Sequence, residues 1–323
     1  MKVTKVAVAH FSAVVRQKST HIRHALRQRG VTILPWKELS QADGAIVYNI
    51  HGSSLGHIQR AYAMGKPILS LQEGMYALGW SGTLPGMRQE CKRANNLNIM
   101  QFVWSRLDVE NYVKTGKRKE LLQHYGNPEH DQLLLPPNLT RKSLGIPEHA
   151  FVVTRIDQYA HPRGGPSWKD INEMTRHVCG LTKLDPRVWV IHCMHPKNRT
   201  HTNLTTVGQE RNLTRPFKYP IFDTLRLSDL IVTVSSTEGI TAAILGKPII
   251  QYDTSRSNER WPFSQHRVAK RAVSQRELIN TTQQAIDGKL NLKPKVNYRQ
   301  EYYVDGKCAE RTAKAIIRYF IAK

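Results

Sequence analysis

The sequence predicts an α/β protein built from two doubly wound, Rossmann-like domains. Short apolar runs alternate with helix-length segments in both halves, the pattern of parallel sheets joined by helical crossovers. The 323 residues suffice for two domains of ordinary size. Between the halves, PPNLTRKSLGIPEHA (136–150) carries three prolines and no strand pattern, which marks a boundary.

The elements follow in order. VAVAHF (6–11) reads as a first buried strand, followed by a basic helix near 17–29 that Gly30 closes. AIVYNI (45–50) is a second strand, leading through HGSSLGH into a helix that ends at Gly65. Pro67 opens the strand PILSL, and NIMQFVW (98–104) forms another, with a helix over 107–115 behind it. The second half repeats the rhythm with FVVTRI (151–156), VWVIHCM (188–194), LIVTVS (230–235) and PIIQYD (248–253). Helices fit 169–183, 238–245 and 274–287, and the stripe Ala309, Ala313, Ile316, Ile317 and Phe320 predicts a core-facing helix over 302–322. The expected domains are therefore 1–140 and 141–295, with 296–323 as a terminal helical segment.

Composition narrows the function. There are 48 Lys and Arg against 25 Asp and Glu, a net charge of +23. The excess is no tail, since residues 1–150 hold 20 basic and 10 acidic side chains and the remainder holds 28 and 15. A basic surface spread over both halves points to a polyanionic partner. The four cysteines, Cys91, Cys179, Cys193 and Cys308, are dispersed without a C-x-x-C pair, which fits a reducing compartment better than a disulfide framework. MKVTKVAVAHF is too interrupted for a signal peptide, and no stretch has the length of a membrane span, so a cytoplasmic protein without membrane insertion is expected.

Four segments carry candidate chemistry. In IVTVSSTEGITAAILGKPIIQYD (231–253) a buried strand ends at Ser235, Ser236 and Thr237, and a helix begins at once. Free amides and the helix dipole make such a terminus a phosphate site, although Ser and Thr are also ordinary caps. VWVIHCMHPKNR (188–199) delivers His195 and Lys197 to a strand's carboxyl end, where they are placed to hold a diphosphate. ILSLQEGMY (68–76) places Glu73 after a buried strand as a candidate general base for a hydroxyl acceptor. In NIHGSSLGH (49–57), His51, Ser53 and Ser54 are candidates for the acceptor side. No P-loop, G-x-G-x-x-G or Asp-x-Asp pattern is present, so neither a metal nor a cofactor is expected to be required.

Several pieces stand in a familiar order: GKPIL…QEG (65–74), GNPEHD (126–131), RKSLGIPEHAFVVTRIDQ (141–158), HP (195–196) and SSTEG…GKPII (235–250). This order resembles the GT-B glycosyltransferase superfamily, nearest to the branch of capsule-polysaccharide transferases, CDP-glycerol polymerases and UDP-N-acetylglucosamine 2-epimerases. The resemblance implies two domains facing a cleft, with a UDP-sugar as the donor substrate. It implies that Ser235, Ser236 and Thr237 hold phosphates beside His195, that Glu238 reaches the ribose, and that Gln158 belongs to the donor site. It also implies that Glu73 is the base. In size and charge the chain is similar to the bacteriophage DNA-modifying glycosyltransferases of this superfamily. That similarity implies transfer to a hydroxymethylated pyrimidine, such as hydroxymethylcytosine, in double-stranded DNA. Lys92, Arg93, Lys117, Arg118 and Lys119, with Arg141-Lys142 and Arg267-Lys270-Arg271, are then expected to track the backbone. Tyr76, Trp80 or Trp168 would hold the extruded base. The alternatives are a cell-surface or teichoic-acid-type polymer acceptor, and a UDP-sugar 2-epimerase that needs no acceptor.

Overall fold

Burial on both faces turns the apolar runs into central parallel strands. The computed structural model describes residues 5–9, 19–50, 54–74, 84–157, 166–195, 213–214, 221–254 and 262–323. Two compact units emerge, one of Met1–Tyr76, Thr83–Leu135 and Gln300–Lys323, the other of Ala77–Gly82 and Pro136–Arg299.

The first unit runs β1 (Lys5–Val8), α1 (Thr20–Arg27), β2 (Thr32–Pro35), β3 (Gly44–Tyr48), α2 (Ser54–Ala63), β4 (Ile68–Leu71), α3 (Leu84–Asn96), β5 (Met100–Val103), α4 (Arg106–Lys114) and β6 (Leu122–His124). Its strands pair in the order β2-β1-β3-β4-β5-β6, all parallel. GAIVY of β3 is buried at every position, as a strand covered on both faces must be. β2 and β6 were not anticipated from the sequence. Each is short and lies at a sheet edge, and β2 ends in Pro35, which an edge tolerates.

The second unit runs β7 (Phe151–Ile156), α5 (Trp168–Cys179), β8 (Val188–Cys193), β9 (Leu213–Thr214), α6 (Ile221–Leu227), β10 (Leu230–Thr233), α7 (Glu238–Ile244), β11 (Ile249–Tyr252), α8 (Pro262–Gln265), β12 (Ala269–Ala272), α9 (Gln275–Ile286) and α10 (Tyr298–Glu301). The order β12-β11-β10-β7-β8-β9 is again parallel. The chain leaves β7 toward β8 and later returns to β10, so the strand order reverses between β7 and β10. Open α/β sheets bind ligands at the carboxyl ends of the strands flanking such a reversal. Val153, Val190 and Val232 pack there against Ile171, Met174 and Val178 of α5 and Leu278 of α9.

The last helix, α11 (Cys308–Ile321), belongs to the first unit. Its Ala313, Ile316 and Phe320 join Val6, Ile46 and Leu69 in one core. Gly44 is glycine because a Cβ there would overlap the Phe320 ring. The helix is shorter than the sequence stripe suggests. Tyr303 and Gly306 take positive φ values of 50° and 78°, which breaks the segment, and the carboxylate of Asp131 then receives the amides of Cys308 and Ala309 at 3.0 and 2.9 Å. That cap fixes the start at Cys308.

Candidate functional site

In the first unit the site starts at the carboxyl end of β3. Asn49 follows that strand with φ 62°, a left-handed conformation that asparagine tolerates better than most residues. Its backbone amide bonds the Leu71 carbonyl at 2.7 Å, and this tie brings its side chain to Glu73. Asn49 Oδ1 accepts the Glu73 amide at 3.1 Å, while its Nδ2 donates to Glu73 Oε2 at 3.4 Å. On the other flank Gln72 Oε1 accepts the Trp104 amide and its Nε2 donates to the Gly74 carbonyl, both at 2.9 Å. Glu73 therefore sits half-buried on a stiff corner at the carboxyl edge.

Glu73 lines a cavity of about 30 Å³ together with Tyr48, Trp104, Asn127, Glu129 and Thr312. That volume suits one or two water molecules. Glu129, the second carboxylate on its wall, was not singled out from the sequence. Thr312, buried on α11, belongs to the same lining, and its hydroxyl has no hydrogen-bond partner among the described residues. Burial, outweighing the bond to Ser19, pushes the Tyr48 phenol far above its ordinary value.

The second unit presents its candidates at the β7/β10 reversal. Ser235 is buried, and Ser236 and Thr237 are half-buried. Ser236 Oγ accepts the Glu238 amide at 3.3 Å, and the Ser236 amide reaches Thr233 Oγ1 at 3.3 Å. Glu238 turns back along its own helix, where Oε2 accepts from Thr241 Oγ1 at 3.0 Å. Gly239 lets α7 lie against Phe263, since a Cβ would come 2.5 Å from that ring. His195 lies half-buried just past β8.

Beneath this edge is a buried polar cluster that the sequence analysis did not single out. Arg155, Asp157 and His192 are all 2% exposed or less. Asp157 lies 3.1 Å from His192 Nε2 and 3.6 Å from Arg155 Nε, and accepts from Thr175 Oγ1 at 3.3 Å. Burial alone would raise the Asp157 carboxyl, but His192, then Arg155 and the Thr175 hydroxyl, outweigh it and hold it below the ordinary value. Alternation along β7 and β8 was the available signal, because Arg155 and His192 occupy positions whose neighbours Val153 and Val190 are core.

Several expected site residues take other roles. Lys117 is no backbone contact, because its ammonium is buried and donates to the Ile99 carbonyl at 2.8 Å. Burial pushes its pKa down to about 8. The Ser54 hydroxyl is donated to the Tyr48 carbonyl at the end of β3. Arg141 is committed to Asp229 at 2.8 Å and to the carbonyls of Glu148, Ala150 and Leu227. Trp168 opens α5 and packs on the second core. Arg118 bonds Asn98 and Glu120, whereas Lys92, Arg93 and Lys119 are exposed. These three lie where α3 enters β5 and ahead of β6, at the amino edge of the sheet and opposite Glu73. His51, Ser53, Tyr76, Trp80, Gln158 and Lys197 lie outside the described residues. No helix among the described residues is long and apolar enough to cross a membrane.

Comparison with known proteins follows the same architecture. The S. aureus MnaA structure with UDP covers 99% of this chain and 98% of its own, with a TM-score of 0.73 at 15% identity. The UDP-GlcNAc 2-epimerase of Neisseria meningitidis bound to UDP-GlcNAc covers 100% of both chains, with a TM-score of 0.63 at 14% identity. A wall teichoic acid polymerase covers 99% of this chain and 89% of its own, with a TM-score of 0.65 at 13% identity. These likenesses establish the GT-B fold, with its two parallel-sheet α/β units. Compared directly with the curated proteins, the sequence matches none. The model of the family described as UDP-N-acetylglucosamine 2-epimerase matches residues 87–317, which is most of the chain. On that match, joined to two reversing parallel sheets whose carboxyl edges carry the polar residues, the chain belongs to the UDP-N-acetylglucosamine 2-epimerase family.

Proposed function

We propose that the protein is a UDP-sugar-dependent enzyme that inverts carbon 2 of a UDP-N-acetylhexosamine. The observation that carries the reading is Glu73, fixed by Asn49 on the wall of a cavity it shares with Glu129, in a chain of this family. A C2–H bond in a pyranose has no neighbouring carbonyl to stabilise a carbanion. Its proton leaves most readily as the diphosphate departs from C1 with the bonding pair, which gives a C1–C2 alkene. Returning the diphosphate to C1 and a proton to the other face of C2 completes the inversion. In this reading Glu73 removes or returns that proton. The Ser235–Thr237 turn and His195 hold the departing diphosphate, and charge on the leaving group is offset by backbone amides.

The test is incubation with UDP-N-acetylglucosamine in deuterated water, followed by proton NMR. The C2 epimer is expected, with deuterium at C2. Absence of both epimer and exchange would defeat the reading.

A transferase reading is favoured by the likeness to the wall teichoic acid polymerase. It would give no product from the nucleotide sugar alone and would need a polymer acceptor. The hydroxymethylated-DNA acceptor rested on the net charge and the general resemblance. None of the relatives described above carries a DNA substrate in its name, and the basic side chains Lys92, Arg93 and Lys119 sit at the sheet edge opposite Glu73. The epimerase reading therefore stands first.

A further inference from the structure

The amino edge of the first sheet holds a feature the proposed reaction does not use. Arg88, Lys92, Asn95 and Asn96 recur at helical spacing and form one stripe on α3. With Lys114 in the last turn of α4 and Arg118 beyond it, the stripe lines an open basin of about 750 Å³.

The floor of the basin is built rigidly. Asn95 Nδ2 donates to the Gly116 carbonyl at 2.8 Å, and its Oδ1 accepts the Arg118 amide at 3.0 Å. The Arg118 guanidinium is held by Asn98 and, at 3.3 Å, by Glu120. The walls are uncompensated. Among the described residues Arg88, Lys92 and Lys114 enter no ion pair, and no carboxylate lines the basin. Lys114 has a local reason for its place, since a cation suits a helix C-terminus. Arg88 and Lys92 have none. They are like charges four residues apart on one helix, a destabilising arrangement that a bound anion would relieve.

We propose that this basin docks the phosphodiester backbone of double-stranded DNA. It is too open to enclose a small anion, and it has no aromatic side chain on which a base could stack. Its donors, Arg, Lys and Asn, are those that contact phosphate without reading sequence. The chain as a whole carries +23 and a pI near 10.1, with cations arrayed along one helix, the electrostatic footprint of a nucleic-acid partner. The proposal concerns binding alone and is independent of the epimerase reading.

The experiment is fluorescence anisotropy of the full-length protein with a short labelled duplex, titrated between about 50 and 200 mM salt. The triple variant Arg88→Gln, Lys92→Gln, Lys114→Gln is compared with a control triple, Arg276→Gln, Lys293→Gln, Lys295→Gln, which removes exposed cations from the second unit. The basin triple is expected to reduce the slope of log K against log salt by about 2 to 3, close to 0.9 for each phosphate that is no longer neutralised. The control triple is expected to leave the slope unchanged, and thermal melting should match across all three proteins. UDP-sugar turnover of the basin triple should equal that of the wild type, since the basin lies opposite Glu73. An unchanged slope in the basin triple overturns the proposal. So does an equal fall in the control, or retention of poly(glycerol phosphate) with no retention of DNA.

Discussion

Asn49 grips Glu73 at both ends, taking its backbone amide at 3.1 Å and approaching its carboxylate at 3.4 Å. The grip depends on a left-handed backbone at Asn49, so conformation and side chain are separable by substitution. Asn49→Gly keeps the backbone and loses both bonds. It should lower kcat by a factor corresponding to about 1 kcal/mol while KM changes little. Asn49→Ala loses the bonds and adds left-handed strain of about 1 to 2 kcal/mol, which should appear in the melting temperature as well. Equal kcat in Asn49→Gly and wild type would show that Asn49 does not position Glu73.

Glu73→Gln preserves the shape of the corner and removes the proposed base. Turnover should fall by about 100- to 10,000-fold, the usual range for a general base. Nucleotide affinity, read by calorimetry with UDP, should stay unchanged, because the residues proposed to hold the diphosphate belong to the second unit. A matched loss of UDP affinity would assign Glu73 to binding.

Asp157 is the partner that makes a buried arginine tolerable. Asp157→Ala leaves Arg155 and His192 buried without it and should cost about 3 to 5 kcal/mol in denaturant unfolding. The pH dependence has a definite sign. The folded carboxyl lies below its unfolded value of 3.8, so its contribution is complete above that value. It is lost as the pH falls through the lower folded value. The difference in stability between wild type and variant should shrink below about pH 4.

Lys117 predicts a trend of the same sign in the alkaline range. Its folded pKa of about 8 lies below the ordinary 10.5, so the unfolded chain binds more protons between those values. Stability from this group should rise there with a slope of up to about 1.4 kcal/mol per pH unit. The measurement is urea unfolding at several pH values, wild type against Lys117→Met. The variant should lose that rising component, and parallel pH curves would place the ammonium in water.

The outline of the fold was legible where burial imposes a pattern. AIVYNI and LIVTVS lie in central strands, and uninterrupted apolar runs mean both faces are covered. Thr32–Pro35 was illegible because an edge strand needs only one partner and tolerates proline and exposure. Glu73 was legible as a carboxylate after a buried strand, but its holder Asn49 lies 24 residues away and meets it only through the pairing of β3 with β4. Lys117 misled because charge was read without depth. Its neighbours Arg118 and Lys119 are exposed, and only the turn at Gly116, with φ 93°, sends the ammonium inward to Ile99.

Gly44→Ala tests the contact that seats the last helix. The added methyl would meet the Phe320 ring, and overpacking of this kind costs about 1 to 3 kcal/mol. Gly44→Ala combined with Phe320→Leu should recover part of that loss in thermal melting. Full additivity of the two changes would show that they do not share the space.

The seating of α11 on β1 and β3 also bears on how the chain acquires its shape during synthesis. The ribosome completes the second unit, 136–299, before the helix that finishes the first has emerged. The earliest-made sheet must wait with the Val6, Ile46 and Leu69 surface uncovered until Ala313, Ile316 and Phe320 arrive. The usual order, in which the N-terminal domain folds first, is thereby inverted for its final step. Nascent chains stalled before Cys308 should be held by chaperones through that uncovered face.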